Sequence, residues 1–344
     1  MKKWLTHIIE GASVDAVSKS RGDIGEIGRS VGYDPLYIYR YQDPNETLDA
    51  LKSRIDGITA AAKPGDLLIY QYPNYNGGLF EETFINRMKM RRMHVAILVH
   101  DSELIRGSSY NDEKKLFNMA DVLIVHNQRM EDELRAFGVT TKMIHKELFD
   151  YLVPDLVGKP VNTLNKKIVF AGNVQKSLFL REWDAKTKMI VYGRKGKVEL
   201  SEQIDYQGEF LQDELLRMLP NDGFGLAWDE DIPDGGFYGR YTKYNAPHKI
   251  SLYLSLGMPV IVWEESAAAI MVKKYGLGYT ISALDEIDDL MVSIDAQELI
   301  SVKNRVIKFS KVLREGMFTK NAINQFENYI LFPEPKEVIE DNEK

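Results

Sequence analysis

Four residues suited to holding an anion fall within five positions of one another: Asn245, Pro247, His248 and Lys249. Proline presets φ and lacks only an amide hydrogen that a first helical turn leaves unpaired, so Pro247 suits a helix start. Ile250, Tyr253, Leu254 and Leu256 then recur at helical spacing, Gly257 closes the helix, and Pro259 opens the apolar run Val260, Ile261, Val262. A helix N-terminus offers free amide hydrogens and roughly half a positive charge from its aligned peptide dipoles. Lys249 and His248 would add charge one turn inside it. A diphosphate is the ligand this chemistry suits, although the same residues also spell a capped amphipathic helix ahead of a core strand.

A second group could move a proton. His100 and Asp101 follow the apolar run 94–99, and a carboxylate, or a histidine titrating near neutrality, can take a proton from an attacking hydroxyl. The same pair could instead cap a strand and order the loop after it. Polar residues also gather after two other apolar runs: the stretch 11–21, which contains Ser13, Lys19 and Arg21, and Gln71-Tyr72-Pro73. Asp23 suits a helix cap. His94, His126 and His145 lie at run ends where structural roles fit, and no histidine pair has the spacing of a metal site.

Positioning these groups requires strands that end in one place. Apolar runs at 4–9, 36–41, 66–70, 94–99, 122–125 and 142–145 alternate with helical patterns at 23–31, 46–63 and 79–93. Such alternation predicts a parallel sheet buried on both faces, with functional groups at the carboxyl ends of its strands. The stretch 147–166 holds Pro154, Gly158 and Pro160 and no sustained period, so it reads as a linker. A second series follows: strands at 167–171, 189–192, 206–210, 225–228, 260–263 and 278–281, a short helix at 177–183, a helix at 212–219, and an irregular stretch at 229–244. The expected organisation is an α/β domain over 1–150, a linker over 151–166, and a second α/β domain over 167–317. A last helix over 318–332 would return to the first domain, followed by a charged, flexible tail over 333–344.

Composition narrows the function. The 344 residues carry a net charge of −7, which argues against general nucleic-acid binding. There is no cysteine, hence no disulfide, thiolate zinc site or cysteine nucleophile. No apolar run approaches the ~18 residues that span a bilayer, and the chain begins as a strand would, so a cytoplasmic location is expected. The basic run from Arg87 to His94 is interleaved with methionines. It offers a peripheral contact with anionic lipid at the inner membrane face, or a solvated helix face with methionines inward; the latter is preferred.

The segment 245–261 resembles the donor site of a bacterial glycosyltransferase family. That family contains the glucosyltransferase that adds the second sugar to serine-rich adhesins and the β-1,6-galactofuranosyltransferases of polysaccharide synthesis. Its pattern, Asn-x-Pro-x-Lys-x-Ser-x-Tyr-Leu followed by Gly-x-Pro-Val-Ile, is matched by Asn245, Pro247, Lys249, Ser251, Tyr253, Leu254, Gly257, Pro259, Val260 and Ile261. Lys19, Arg21 and Asp23 resemble its Lys-x-Arg-x-Asp motif. Gln71 with Pro73 and His100, Asp101 and Arg106 resemble two further motifs.

The resemblance implies two Rossmann-like domains facing a cleft, the GT-B architecture, with nucleotide in the C-terminal half and acceptor in the N-terminal half. It implies donor contacts from Gly172, Asn173, Lys176, Arg181, Tyr192, Tyr206, Tyr244, Asn245, His248, Lys249 and Ser13. Acceptor contacts would come from Lys19, Arg21, Gln71, Tyr72 and Arg106, and catalysis from Asp101 and His100. The implied reaction moves glucose or galactofuranose from a UDP-sugar to a glycan, glycoprotein or lipid-linked acceptor.

A helix end with a lysine can stabilise the leaving diphosphate in place of Mg²⁺, so no cofactor and no metal is expected. Asp229, Glu230, Asp231 and Asp234 resemble the Asp-x-Asp of metal-dependent transferases. Beside Pro233, Gly235 and Gly236, however, they read as a solvated mobile loop, whose flexibility would suit a lid over donor or acceptor. Relatives in the family resemble homo-oligomers. Two other readings remain: a non-catalytic GT-B subunit that binds a partner transferase or glycan, and a sugar-nucleotide epimerase on the same plan.

Overall fold

Each apolar run becomes a strand because helices cover it on both sides. The N-terminal half runs β1 (Lys3–Ile9), α1 (Ala16–Ser30), β2 (Asp34–Tyr39), α2 (Leu48–Ile58), β3 (Leu67–Tyr72), α3 (Gly78–Met90), β4 (His94–Val99), α4 (Glu103–Arg106), α5 (Glu113–Met119), β5 (Val122–Val125), α6 (Gln128–Ala136) and β6 (Lys142–His145). The C-terminal half runs β7 (Ile168–Ala171), 3-10 turns at Val174–Lys176 and Leu178–Arg181, β8 (Met189–Tyr192), β9 (Ile204–Gly208), α7 (Gln212–Met218), β10 (Phe224–Ala227), α8 (Phe237–Thr242), α9 (His248–Ser255), β11 (Val260–Trp263), α10 (Ala267–Tyr275), β12 (Gly278–Ile281), α11 (Ile287–Ser293), α12 (Ala296–Arg314) and α13 (Met317–Leu331). The computed structural model describes residues 1–9, 16–40, 43, 45–108, 112–154, 160–229, 232 and 236–333.

The halves hold two six-stranded sheets, ordered β2-β1-β3-β4-β5-β6 and β12-β11-β10-β7-β8-β9, and the registered pairs are parallel. This is the two-domain α/β architecture expected from the alternating pattern.

α1 begins at Ala16, seven positions before the expected start at Asp23, so Lys19 and Arg21 stand on a helix and not in a loop. Its glycines obscure the helical signal, yet they allow close approach to the sheet. A Cβ on Gly28 would lie 2.8 Å from Leu5 Cδ1, and one on Gly25 3.3 Å from His7 Nδ1. Burial of Ile24 and Ile27 then outweighs the poor helix propensity of glycine.

Two segments of the C-terminal half lie on the N-terminal domain. α13 packs Ala322, Ile323 and Phe326 among Leu5, Ile24, Leu67, Ile69 and Leu98, while Lys3 pairs with Glu327 at 2.8 Å. Asp150 caps this helix, accepting from the amides of Phe318 (3.1 Å) and Thr319 (2.7 Å). α8, within the stretch read as irregular, seats Tyr241 in the same cluster as Val99, Ile105 and Phe117.

Among the described residues no helix is long and apolar enough to cross a membrane. The basic run on α3 is engaged internally: Arg87 and Arg91 both bind Asp56, and Lys89 pairs with Asp121 at 2.6 Å. Those side chains are therefore held by carboxylates of their own domain.

Candidate active site

α9 is seated by one pair of residues. A Cβ on Gly225 of β10 would lie 2.2 Å from the Tyr253 ring, so glycine there lets the ring lie directly on the strand. The Tyr253 hydroxyl then accepts from the Ala171 amide at 2.8 Å, tying α9 to the end of β7. This holds the first turn of α9 over the carboxyl ends of β7 and β10. There Lys249 Nζ donates to the Trp228 carbonyl (3.1 Å) and to Asp229 (3.3 Å), and stands 5.4 Å from the Phe170 ring centre.

Beside it, Asn245 Oδ1 and His248 Nε2 are buried with no hydrogen-bond partner among the described residues. Burial, then the charges of Lys19 and Lys146, push His248 down to about 3. Its ring is neutral at physiological pH, which corrects the expectation that it adds a point charge. It offers a hydrogen bond instead, stacked on Tyr151 at 4.8 Å.

Across from this turn lie the ends of β4 and β5. Asp101 accepts from Arg106 Nη2 at 2.6 Å and from the Tyr241 hydroxyl, which itself accepts from the Ser102 amide at 2.9 Å. Burial raises its pKa to about 6; Arg106 pulls down and Glu103 pushes up. Arg106 is committed to Asp101 and Glu103 (2.9 Å) and covers the Tyr241 ring, so it orients the carboxylate. Arg21 is buried, donates to the Pro73 carbonyl, and lies 5.3 Å from the Tyr75 ring, on whose other contact Arg40 sits at 4.8 Å.

Several expected contacts are interior instead. His100 is buried and stacked on Phe149; its Nε2 meets Gln71 Oε1 (2.9 Å) and its Nδ1 meets Ser20 Oγ (3.2 Å). With both nitrogens engaged and burial holding its pKa well below the usual range, it has no free lone pair for a base. Gln71 also donates to the Thr6 carbonyl at 2.8 Å, and the Tyr72 hydroxyl donates to Glu113 at 2.8 Å; both side chains are buried. Lys19 is paired with Asp23 and donates to the Leu152 carbonyl at 2.8 Å, pinning α1 to the interdomain connection.

In the C-terminal half, Tyr192 is buried, with its hydroxyl on the Met218 carbonyl (3.1 Å), and Tyr244 turns to Glu133 of α6. Asn173 caps the first 3-10 turn through the Gln175 amide (3.0 Å), and Lys176 and Arg181 are exposed. Gly172 packs against Gly193, which has φ +132° and would place a Cβ 1.8 Å from the Gly172 carbonyl oxygen; Tyr206 donates to the Gly193 carbonyl at 2.9 Å. Asp229 is held by Lys249 and by Thr242 Oγ1 (2.8 Å). Ser13, Glu230, Asp231 and Asp234 lie outside the described residues.

Sequence reasoning missed Glu113. Buried at the start of α5, it accepts from Ser102 Oγ (2.6 Å), Glu103 N (2.8 Å) and Leu104 N (2.9 Å), and so shapes the loop that presents Asp101. An acid at a helix start looks like an ordinary exposed dipole partner. Tyr241 was equally hidden, because nothing local ties it to a strand end more than a hundred residues earlier.

Two parallel sheets whose carboxyl ends meet across a cleft, with a helix N-terminus and lysine on one side and a carboxylate on the other, define a GT-B glycosyltransferase fold. Similar solved structures include an alpha-glucosyltransferase in complex with UDP (TM-score 0.59, 11% identity, 96% of this chain and 100% of that one). HepE from Anabaena in complex with UDP and glucose is similar to the same degree (TM-score 0.59, 11% identity, 95% and 100% covered).

The family signatures of the glucosyltransferase 3-like N-terminal domain and C-terminal domain match residues 2–148 and 168–326, and the chain belongs to this glucosyltransferase 3-like family. It is 28% identical over 331 residues to glucosyltransferase 3 of Streptococcus gordonii, covering 94% of this chain and 97% of the relative. It is 27% identical over 266 residues to the beta-1,6-galactofuranosyltransferase WbbI of Escherichia coli K12, covering 76% and 78%.

Proposed function

We propose that this cleft transfers a hexose, glucose or galactofuranose, from a UDP-sugar to a glycan or glycoprotein acceptor without a metal ion. The observation that carries the reading is the convergence of Lys249, the α9 N-terminus and the unpartnered Asn245 Oδ1 and His248 Nε2 at the ends of β7 and β10. Free amides and a lysine suit the two phosphates, and the orphan polar atoms suit a ligand that completes them. The names of the relatives, a glucosyltransferase and a galactofuranosyltransferase, agree with a hexosyl donor.

In the reaction the acceptor oxygen bonds to the anomeric carbon, and the bond from that carbon to the β-phosphate oxygen breaks. UDP leaves with the electron pair. Lys249 and the helix end meet the charge that develops on it, worth roughly 1.5–3 kcal/mol for a charged hydrogen bond. Asp101 takes the acceptor proton. With a pKa of about 6 it is ionised at neutral pH and more basic than an exposed aspartate, the direction a general base requires. Arg106 and Tyr241 hold its orientation.

Calorimetric titration with UDP, ADP and GDP in EDTA tests the reading, followed by hydrolysis assays with UDP-glucose and UDP-galactofuranose. Selective UDP binding in EDTA supports it. Binding of none of the three, or binding only after a divalent cation is restored, overturns the metal-independent donor site.

A further inference from the structure

The loop that leads into α9 is gripped from the opposite domain. His126, at the end of β5, receives the Ala246 amide on Nδ1 at 3.0 Å and meets the Val99 carbonyl with Nε2 at 3.0 Å. An amide can only donate and a carbonyl can only accept, so the ring is neutral, with its proton on Nε2. Asn127 adds a second hold: Nδ2 donates to the Tyr244 carbonyl at 2.8 Å, while Oδ1 caps α6 at the Met130 amide (3.0 Å). The adjacent pair thus brackets Asn245, whose Oδ1 has no partner among the described residues. Two positions later, Arg129 reaches the Glu265 carbonyl beyond β11 at 2.6 Å. His126 is itself fixed against Phe149, edge to face at 5.1 Å, and Ala246 is 6% exposed, so water cannot readily replace the ring.

We propose that His126 is a positioning residue for the donor site: its bare Nδ1 holds the Ala246 amide and, with Asn127, fixes the loop from which Lys249 and the α9 N-terminus approach the diphosphate. The proposal rests on the donor-site reading given above. Both grips come from the acceptor half, so the donor loop takes this shape only when the two domains are together.

Asparagine and glutamine separate this role from simple packing. The amide of asparagine reaches the place of Nδ1 and keeps an acceptor for Ala246; that of glutamine reaches the place of Nε2 and keeps only the bond to Val99. His126→Gln and His126→Ala are expected to weaken UDP binding and raise the donor KM about tenfold, with kcat changing less, as loss of one buried hydrogen bond implies. His126→Asn is expected to stay within about threefold of the parent.

Folded Gln and Asn variants that bind UDP equally well, or an Asn variant as weak as the Gln variant, would overturn the proposal. So would failure of both to fold, which would make the role purely structural. A parent protein that does not bind UDP would overturn the donor-site reading and this proposal together, whereas a parent that binds and variants that do not differ would sink only the proposal.

Discussion

Replacing Lys249 with methionine removes the charge and keeps the apolar stem over Phe170. In the free protein the ammonium touches the Trp228 carbonyl at 3.1 Å and Asp229 at 3.3 Å, with the ion-pair side chains 22% and 31% exposed. A pair so open to solvent contributes about 0.2–1 kcal/mol, so the fold should tolerate the change. A charge-assisted bond to a phosphate is worth roughly 1.5–3 kcal/mol, and the parent must first loosen its hold on Asp229. The difference, about 0.5–2.8 kcal/mol, corresponds to roughly 2–110-fold weaker UDP binding. Calorimetry with UDP and with uridine reads it directly, because uridine has no phosphate for Lys249 to meet. UDP affinity should fall while uridine affinity and the melting temperature hold. Equal losses for both ligands, or unchanged UDP affinity, would refute the placement of the diphosphate.

Asp101→Asn is expected to lower kcat by about 10²–10⁴ while UDP affinity stays within about twofold, measured by steady-state kinetics and titration. The parent's acid limb should fall as pH drops through about 6, because protonation removes the base, and the Asn variant should lack that limb. Tyr241→Phe takes away a hydrogen bond that stabilises the Asp101 carboxylate, so the acid limb should move to higher pH; a limb that stays in place would show that the hydroxyl does not act on Asp101. Gly225→Ala drives a methyl into Tyr253 and should cost about 1–3 kcal/mol, or roughly 2–12 °C of melting temperature, with weaker UDP binding; a melting curve that coincides with the parent's would contradict the packing.

The α/β architecture was legible because buried parallel strands need continuous apolar runs such as 94–99 and 260–263, which periodicity detects. Helix limits were less so: α1 starts at Ala16 only because Gly25 and Gly28 admit the helix against His7 and Leu5, a gain that no local preference records. The start of α9 was legible, since proline, lysine and the helix pattern after them are local features. Its neighbours were not. Tyr192, Gln71, Tyr72 and His100 stand at strand ends as expected, yet their polar groups are satisfied inside the protein, so position along a strand did not determine where they face.

Sequence by itself determined the two series of buried strands, the helix start at Pro247 and the lysine one turn inside it, because each follows from interactions within a few residues. Only the tertiary structure decided which groups are available for chemistry. Asp101 answers to Tyr241 and Ala246 to His126, more than a hundred positions apart, and burial, which depends on the whole fold, holds His100 and His248 neutral while raising the affinity of Asp101 for its proton.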